Sequence, residues 1–184
     1  MVTAAKPKVG GAISLAPLNT TLPTTADGTL ATGFENLGYV SDAGVTRSFD
    51  LDTEVIKAWG GDVVLVLDNG KTETFQFALL EATAVLSLKL VNGDSNVTGS
   101  ALATGISVTS NNVQKQGHAF VIDMIESQNT LHRIVIPNGV VTELGDITYV
   151  DNEPIQSDVT ITAIADSSGN TAYEYFKTAS SGTS

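Results

Sequence analysis

The sequence predicts a mainly β fold, a β-sandwich or barrel with one flanking α-helix. Short apolar runs are separated by turn-forming pieces such as Asp68-Asn69-Gly70 and Pro137-Asn138-Gly139. Thr, Ser, Val and Gly are plentiful, whereas aromatic residues make up 6% and charged residues 16% of the 184 residues. This composition favours short strands and tight turns over long amphipathic helices.

The first 35 residues predict an arm that lies outside the core. Pro7, Pro17, Pro23 and the threonine-rich stretch 20–25 interrupt any regular period, although residues 12–18 could add a short strand. Such an arm either frays or becomes ordered on a neighbouring subunit. Residues 36–177 then form the β domain. The small polar residues 178–184 predict a flexible C-terminal tail.

Two hairpins are predicted early in the β domain. Segments 37–41 and 45–49 flank Asp42-Ala43-Gly44, a short connection that ends in glycine. Segments 63–67 and 71–80 enclose Asp68-Asn69-Gly70, and Asn-Gly is the strongest short-range hairpin signal because both central turn residues need positive φ. Residues 50–59 between the hairpins predict an irregular excursion, in which residues 54–58 could form a short helix.

The strand predicted after Gly70 has two unlike faces. Its odd-numbered residues from 73 to 79 are Glu, Phe, Phe and Leu, which predicts a mainly apolar face. The opposite face is polar and points to water or to a lumen. It consists of Thr72, Thr74, Gln76 and then Ala78.

One helix is predicted, because apolar residues from Ala82 to Val91 keep a helical spacing that ends at Gly93. We expect it to lie against the sheet. The rest of the chain predicts short strands, at 106–108, 117–125, 131–136, 140–144, 147–150, 158–165 and 172–176.

The charge is strongly acidic. Twenty acidic residues against nine basic ones give a net charge of -11, and such a surface repels phosphates, which disfavours nucleic-acid binding. The chain has no cysteine, which excludes disulfides and thiolate chemistry. No signal-peptide-like apolar block follows Lys6 and Lys8, so we expect no secretion. No apolar run is long enough to cross a bilayer, so we expect no membrane contact.

The sequence shows no set of catalytic or metal-ligating side chains at a characteristic spacing. His118 and His132 both lie in strand patterns beside apolar residues, which favours structural histidines with polar partners over a catalytic base. Asp50, Asp52 and Glu54 resemble the start of a calcium loop, but the glycine and glutamate that such a loop needs do not follow. We therefore expect no enzyme activity, no cofactor and no metal site.

Gly33–Gly44, Trp59–Val64 and Thr74–Glu81 follow one another in a distinctive order and spacing, and Gly10–Ile13 and Ala16–Pro23 fit the same pattern. This succession of segments resembles the major tail protein, or tail tube protein, of siphophages that infect actinobacteria. The resemblance covers about the first 95 residues well and the remainder in general character.

The resemblance implies six-membered rings that stack into a hollow tube. The tube surrounds a tape-measure protein and later the passing DNA, and it adjoins tail terminator or baseplate proteins. It implies a place in the virion tail, assembly in the host cytoplasm, and DNA that passes without specific binding. The acidic, lysine-poor composition agrees with this conduit, because cations in the lumen would hold the genome.

Candidate site residues follow from this assembly. The segment 41–59 is polar and too long for a turn, so we expect it to reach an adjacent ring. Trp59 is expected to be buried in a structural corner with Gly60 and Gly61. The inter-ring contact candidates are Asp42, Gly44, Arg47, Asp50, Asp52, Glu54 and Lys57, and the lumen candidates are Asp68, Thr72, Thr74 and Gln76.

Two alternatives remain open at this point. A carbohydrate- or host-binding β-sandwich module of a baseplate or cell-surface adhesin would have a similar composition, although such sites commonly use exposed aromatic platforms. An enzyme on a β scaffold is disfavoured because reactive groups at suitable spacings are missing.

Overall fold

Antiparallel strand pairing organises the fold. The computed structural model describes residues 2–8, 11–127 and 129–179. The strands are β1 (Ala5–Pro7), β2 (Ile13–Pro17), β3 (Glu35–Asn36), β4 (Val40–Lys57), β5 (Val63–Leu79), β6 (Val97–Thr98), β7 (Ser107–Val108), β8 (His118–Glu126), β9 (Thr130–Leu144), β10 (Ser157–Ala163) and β11 (Tyr173–Thr178). The helix α1 spans Val85–Asn92, and short 3-10 turns span Asp94–Asn96 and Leu102–Thr104.

Nine strands form one large sheet in the order β3-β2-β8-β9-β10-β5-β4, with β1 beside β8 and β11 beside β9. β9 is long enough to serve two partners on one edge: residues 130–135 pair with β11, and residues 139–144 pair with β10. β6 and β7 form a separate two-stranded sheet. The predicted mainly β fold with one flanking helix is confirmed.

One apolar core cluster joins the strands of the large sheet to α1. Phe75, Phe120 and Ile161 are fully buried, and Leu90 and Val91 of α1 belong to the same apolar cluster. The helix ends where predicted, at Gly93, whose φ of 99° few other residues adopt and whose N–H donates to the Lys89 carbonyl at 2.7 Å.

The predicted N-terminal arm contains a core strand. β2 pairs with β8, and Ile13 and Ala16 are fully buried. Ile13 and Leu15 are buried, whereas Ser14 between them is half-buried, as expected for a strand with one face on the core. Pro17 is tolerated because it is the last residue of the strand. At the other end, Thr178 lies in β11, so the sheet continues into the predicted tail, whose residues 180–184 lie outside the described residues.

Neither of the two predicted early hairpins forms, because β4 and β5 are continuous strands of 18 and 17 residues. Asp42-Ala43-Gly44 belongs to a bulge: Val40 pairs with Leu79 and Val45 with Phe77, so β4 has three extra residues. The predicted Asn-Gly turn is also a bulge, in which Asp52 pairs with Gly70 and Thr53 with Asp68.

The true turn lies in the predicted excursion. The Ala58 N–H donates to the Asp62 carbonyl at 2.8 Å, and Gly60 and Gly61 have φ of 118° and 99°. Residues 50–57 are strand, because each lies opposite a residue of β5 in an antiparallel pairing that a short helix would lose. Pro137-Asn138-Gly139 likewise lies within β9, and residues 147–150 form no strand.

Candidate assembly surface

Residues 50–72 form a two-stranded ribbon that leaves the body of the molecule. β10 covers the edge of β5 only from Glu73 to Leu79, so β5 pairs beyond Glu73 with β4 alone. The ribbon therefore extends roughly 25 Å past the sheet at about 3.3 Å per residue. Every one of its residues is exposed.

The ribbon is unusually apolar for an exposed element. Of the 23 exposed large hydrophobic side chains in the described residues, nine lie on it. Five of these are the consecutive residues 63–67, so both faces of the ribbon carry apolar side chains. An isolated two-stranded hairpin is only marginally stable in water, and contiguous apolar patches of this kind mark contact sites. The ribbon is thus the leading candidate for a protein-contact surface.

A charged cluster fixes the base of the ribbon. Arg47 of β4 donates from Nε to Glu73 Oε1 of β5 at 2.6 Å and from Nη1 to Glu174 of β11. Glu73 also accepts from the Thr171 hydroxyl and from Lys71 Nζ, the latter at 3.4 Å. The Arg47 guanidinium lies over the Phe75 ring, 5.4 Å from its centroid. These contacts tie β4 and β5 to β11 where the ribbon begins.

This cluster holds its charges at neutral pH. Burial raises the pKa of Glu73, but hydrogen bonds from Thr171 and Arg47 and the nearby cations outweigh it, so this pKa lies below its ordinary value. The pKa of Glu174 is lowered in the same way, with Arg47 and His132 overcoming burial. Burial lowers the pKa of Arg47, but its two carboxylate partners prevail and raise it.

Both histidines have polar partners. His132 lies between Glu126, at 3.0 Å from Nδ1, and Glu174, at 3.1 Å from Nε2, and its ring stacks on Phe176. His118 is buried and contacts Asp94 at 3.2 Å. The prediction that His132 is a strand histidine with polar partners is confirmed.

A neutral polar face covers the outer side of β4, β5 and β10. Thr74 lies opposite Ser48 of β4 and Thr162 of β10, and Gln76 lies opposite Thr46 and Thr160. The other face of β5 carries the buried Phe75 and Phe77, which confirms the predicted alternation. Thr72 continues the polar face opposite Asp50, and no lysine or arginine lies opposite these three β5 residues.

The predicted contact residues divide into three groups. Asp50, Asp52, Glu54 and Lys57 lie exposed on the ribbon. Arg47 belongs to the cluster at its base. Asp42 and Gly44 lie in the β4 bulge, beside a cleft about 610 Å³ in volume.

The prediction that Trp59 is buried is wrong. Its relative exposure is 107%, because it lies at the tip of the ribbon where the subunit has nothing to pack against it. Gly60 and Gly61 do supply the positive-φ turn that was predicted. Asp68 lies in the ribbon bulge, where its carboxylate accepts from the Gly70 N–H at 3.1 Å.

Sequence reasoning missed the role of Arg133. This side chain is only 1% exposed and donates to both Asp123 carboxylate oxygens, at 2.6 and 3.0 Å. It also donates to the carbonyls of Thr25 and Gly28, at 3.0 and 2.7 Å, and so fastens the N-terminal segment to the sheet. The sequence feature that could have indicated this role is a single arginine in the apolar run of β9, which lies directly opposite Asp123 of β8.

Residues 2–8, 11–127 and 129–179 offer neither a candidate membrane-spanning helix nor a cluster of metal ligands. No helix there has the length and apolar character of a membrane span. No three or more His, Cys, Asp or Glu side chains cluster there as metal ligands would.

Fold and surface together define a mainly β protein whose most prominent exposed feature is an apolar ribbon suited to protein contact. The model of the phage tail tube protein family matches residues 5–182. The chain therefore belongs to the phage tail tube protein family and is a structural component of the phage tail.

Two large assemblies are among the solved structures that match most of the chain. The tail of an empty GTA particle with C6 symmetry has a TM-score of 0.44 at 12% identity, with 84% of this chain and 91% of that chain covered. The PVC sheath–tube complex of an extracellular contractile injection system, in its extended state, has a TM-score of 0.42 at 10% identity, with 95% and 93% covered. No curated protein sequence matches the chain.

The family match confirms the resemblance to tail tube proteins and extends it beyond the first half of the chain. The narrower origin, a siphophage of actinobacteria, stays a prediction.

Proposed function

We propose that the protein assembles with copies of itself into six-membered rings that stack into a hollow tail tube, through which phage DNA is delivered. The ribbon carries this proposal. Its nine exposed apolar side chains cannot be buried by the subunit itself, so a partner must cover them. Copies of this chain are the partner that a tube protein always has nearby.

The polar face of β5 is the proposed channel lining. A conduit for DNA needs a water-facing wall that does not bind phosphates. The threonine and glutamine side chains of this face meet that requirement, and Asp50 adds negative charge opposite Thr72. The tape-measure protein occupies this channel before DNA does, and terminator or baseplate proteins close the ends of the tube.

The exposed Trp59 reopens the alternative of a glycan-binding module, since exposed aromatic rings serve as sugar platforms. Its exposed neighbours on the ribbon favour a protein partner instead. Ile56, Val63 and Val64 are aliphatic, whereas a sugar site needs placed polar groups that hydrogen-bond hydroxyls.

Trimming the ribbon tests the proposal. Replacing residues 53–69 by Asn-Gly closes a two-residue turn on the Asp52–Gly70 pair and leaves the Arg47–Glu73 contact in place. We expect a folded monomer by circular dichroism that forms no tubes in sedimentation or electron microscopy. Tubes at the wild-type protein concentration would contradict the proposal.

A matched pair of point variants gives a finer test. Val66 on the ribbon is 58% exposed and Val113 elsewhere is 56% exposed. Val66→Asp places a charge in the proposed contact and should prevent assembly, whereas Val113→Asp should leave it intact. Equal assembly of both variants would remove the ribbon from the interface.

A further inference from the structure

We propose that Trp59 at the ribbon tip of one subunit inserts into a cleft at the ribbon base of another subunit. This inference rests on the proposed self-assembly and names the two surfaces that meet. The cleft lies between β1 and the bulge of β4, and it has a volume of about 610 Å³.

The cleft is shaped by the bulge. The three extra residues between the Val40–Leu79 and Val45–Phe77 pairs form one wall, and β1 forms the other. Ala43, Val45 and Met124 give it an apolar lining. A side chain on Gly44 would meet no atom within 4 Å, so open space borders the bulge. A volume of this size is in the range that accommodates compact aromatic groups.

Trp59 has the complementary character. It is the sole tryptophan of the chain and is fully exposed. The two glycines that follow it carry no side chains and the residue before it is Ala58, so the indole has only small neighbours along the chain. Large aromatic side chains in preformed pockets are the usual anchors of protein interfaces.

The two surfaces cannot meet within one subunit. The cleft lies at Ser41–Val45 and the tip follows Lys57, so they lie at opposite ends of β4. Twelve residues of strand from Val45 to Lys57 span about 40 Å. The contact must therefore join different copies, head to tail. Such a heterologous contact leaves a free tip and a free cleft after each addition, which gives rings or filaments instead of a closed dimer.

The charges of the two surfaces are also complementary. Between residues 52 and 68 the ribbon carries four acidic residues against Lys57 alone. The cleft is lined by Lys6 and Lys8 against Asp42, which leaves the lining with a net positive charge, and Lys8 also pairs with Asp123 at 3.8 Å. Opposite potentials of this kind guide encounter and fix the orientation of docking.

The single tryptophan allows a direct test by fluorescence. In the free subunit, emission from Trp59 should be that of a water-exposed indole and strongly quenched by acrylamide. On assembly, the emission should shift to shorter wavelength and most of the acrylamide quenching should be lost. Assembled protein with unchanged emission and quenching would overturn the inference and leave the tube function standing.

A nitroxide spin label at the cleft tests whether the cleft is the surface that receives Trp59. The chain has no cysteine, so Ala43→Cys places one nitroxide at the cleft, and Ala103→Cys places one at an equally small, exposed control position. The labelled subunits also carry Trp59→Phe and are mixed with wild-type subunits, so that only quenching between copies is seen. We expect the Ala43 label to quench at least half of the emission from subunits beside it and the Ala103 label to leave emission unchanged. Equal quenching by both labels, or quenching by the Ala103 label alone, would overturn the inference.

A disulfide test covers the case in which the Ala43 label blocks assembly. Subunits with Trp59→Cys and Ala43→Cys should form ladders of linked copies under oxidation, and subunits with Trp59→Cys and Ala103→Cys should not. The absence of a ladder in assembled protein would overturn the inference. Failure of the wild-type protein to assemble, detected beforehand by sedimentation, would overturn the proposed function together with the inference.

Discussion

Trp59→Ala should weaken assembly while leaving the stability of the isolated subunit almost unchanged. Covering an indole removes about 150–250 Å² from water. At about 25 cal/mol per Å² this corresponds to roughly 4–6 kcal/mol before the cost of ordering the contact. We expect a net loss of about 2–4 kcal/mol per contact, the range of an interface anchor. Since every 1.4 kcal/mol is a factor of ten, the protein concentration needed for assembly should rise roughly 30- to 700-fold.

The unfolding free energy of the isolated subunit should hardly change. Trp59 is fully exposed, and exposed positions usually shift stability by no more than about 0.5 kcal/mol, whereas emptying a core tryptophan costs about 3–5 kcal/mol. Urea unfolding followed by circular dichroism, below the assembly concentration, measures the unfolding free energy. Light scattering across a dilution series measures the protein concentration needed for assembly. Trp59→Phe should retain part of the assembly.

Two results would refute this reasoning. A loss of more than about 2 kcal/mol in subunit stability would mean that Trp59 packs within its own chain. Unchanged assembly with unchanged stability would mean that the ribbon tip makes no productive contact.

Three further predictions concern the body of the subunit and the channel. Arg133→Ala should lower the unfolding free energy by about 3–5 kcal/mol in urea titrations because it leaves the Asp123 carboxylate with only the exposed Lys8, at 3.8 Å, as a charged partner; a loss below 1 kcal/mol would contradict this. The pKa of Glu73 is lowered by folding, so its contribution to stability is present above the ordinary value of 4.5 and is lost as pH falls through the folded-state pKa. Thermal unfolding across pH should therefore show Glu73→Gln less stable than wild type at pH 7, with the difference shrinking as the pH falls below 4.5, and a constant difference would exclude this role. Replacing Thr74 and Gln76 together by lysine should preserve tubes but slow DNA ejection from assembled particles, because cations in the channel pair with phosphates; unchanged ejection would remove this face from the channel, and loss of tubes would make it a subunit contact.

Local patterns in the sequence predicted the strands and the helix that pack one face against the core. Alternation predicted β8, β10 and the two faces of β5, and Gly93 marked the end of the helix. In each case one face meets the core, so periodicity and burial agree.

The prediction of a hairpin turn within the ribbon was wrong because it relied on turn-forming residues. Asp68-Asn69-Gly70 has the composition of a tight turn, but a positive-φ glycine also permits a bulge in a continuing strand. Which of the two forms depends on whether the flanking segments pair with each other or with a third segment. Residues 45–57 offered β5 a longer partner, and that pairing is not visible in local composition.

Sequence and structure single out overlapping segments as the candidate contact surface, but they differ in its character. The segment 41–59 was predicted to contact an adjacent ring, which stays a prediction, whereas Trp59 was expected in the core because tryptophan is usually largely buried. In the subunit nothing covers it, and a covering surface on another copy leaves no local trace in one sequence. Arg133 was missed for a similar reason, since two of its partners are the backbone carbonyls of Thr25 and Gly28, about a hundred positions away.

A cryo-electron microscopy reconstruction of the purified protein after assembly tests the central claim most directly. We predict a hollow tube of stacked six-membered rings in which each ribbon contacts another subunit and Thr74 and Gln76 face the channel. A protein that remains monomeric at high concentration, or a tube whose ribbons project into solvent without a partner, would contradict it.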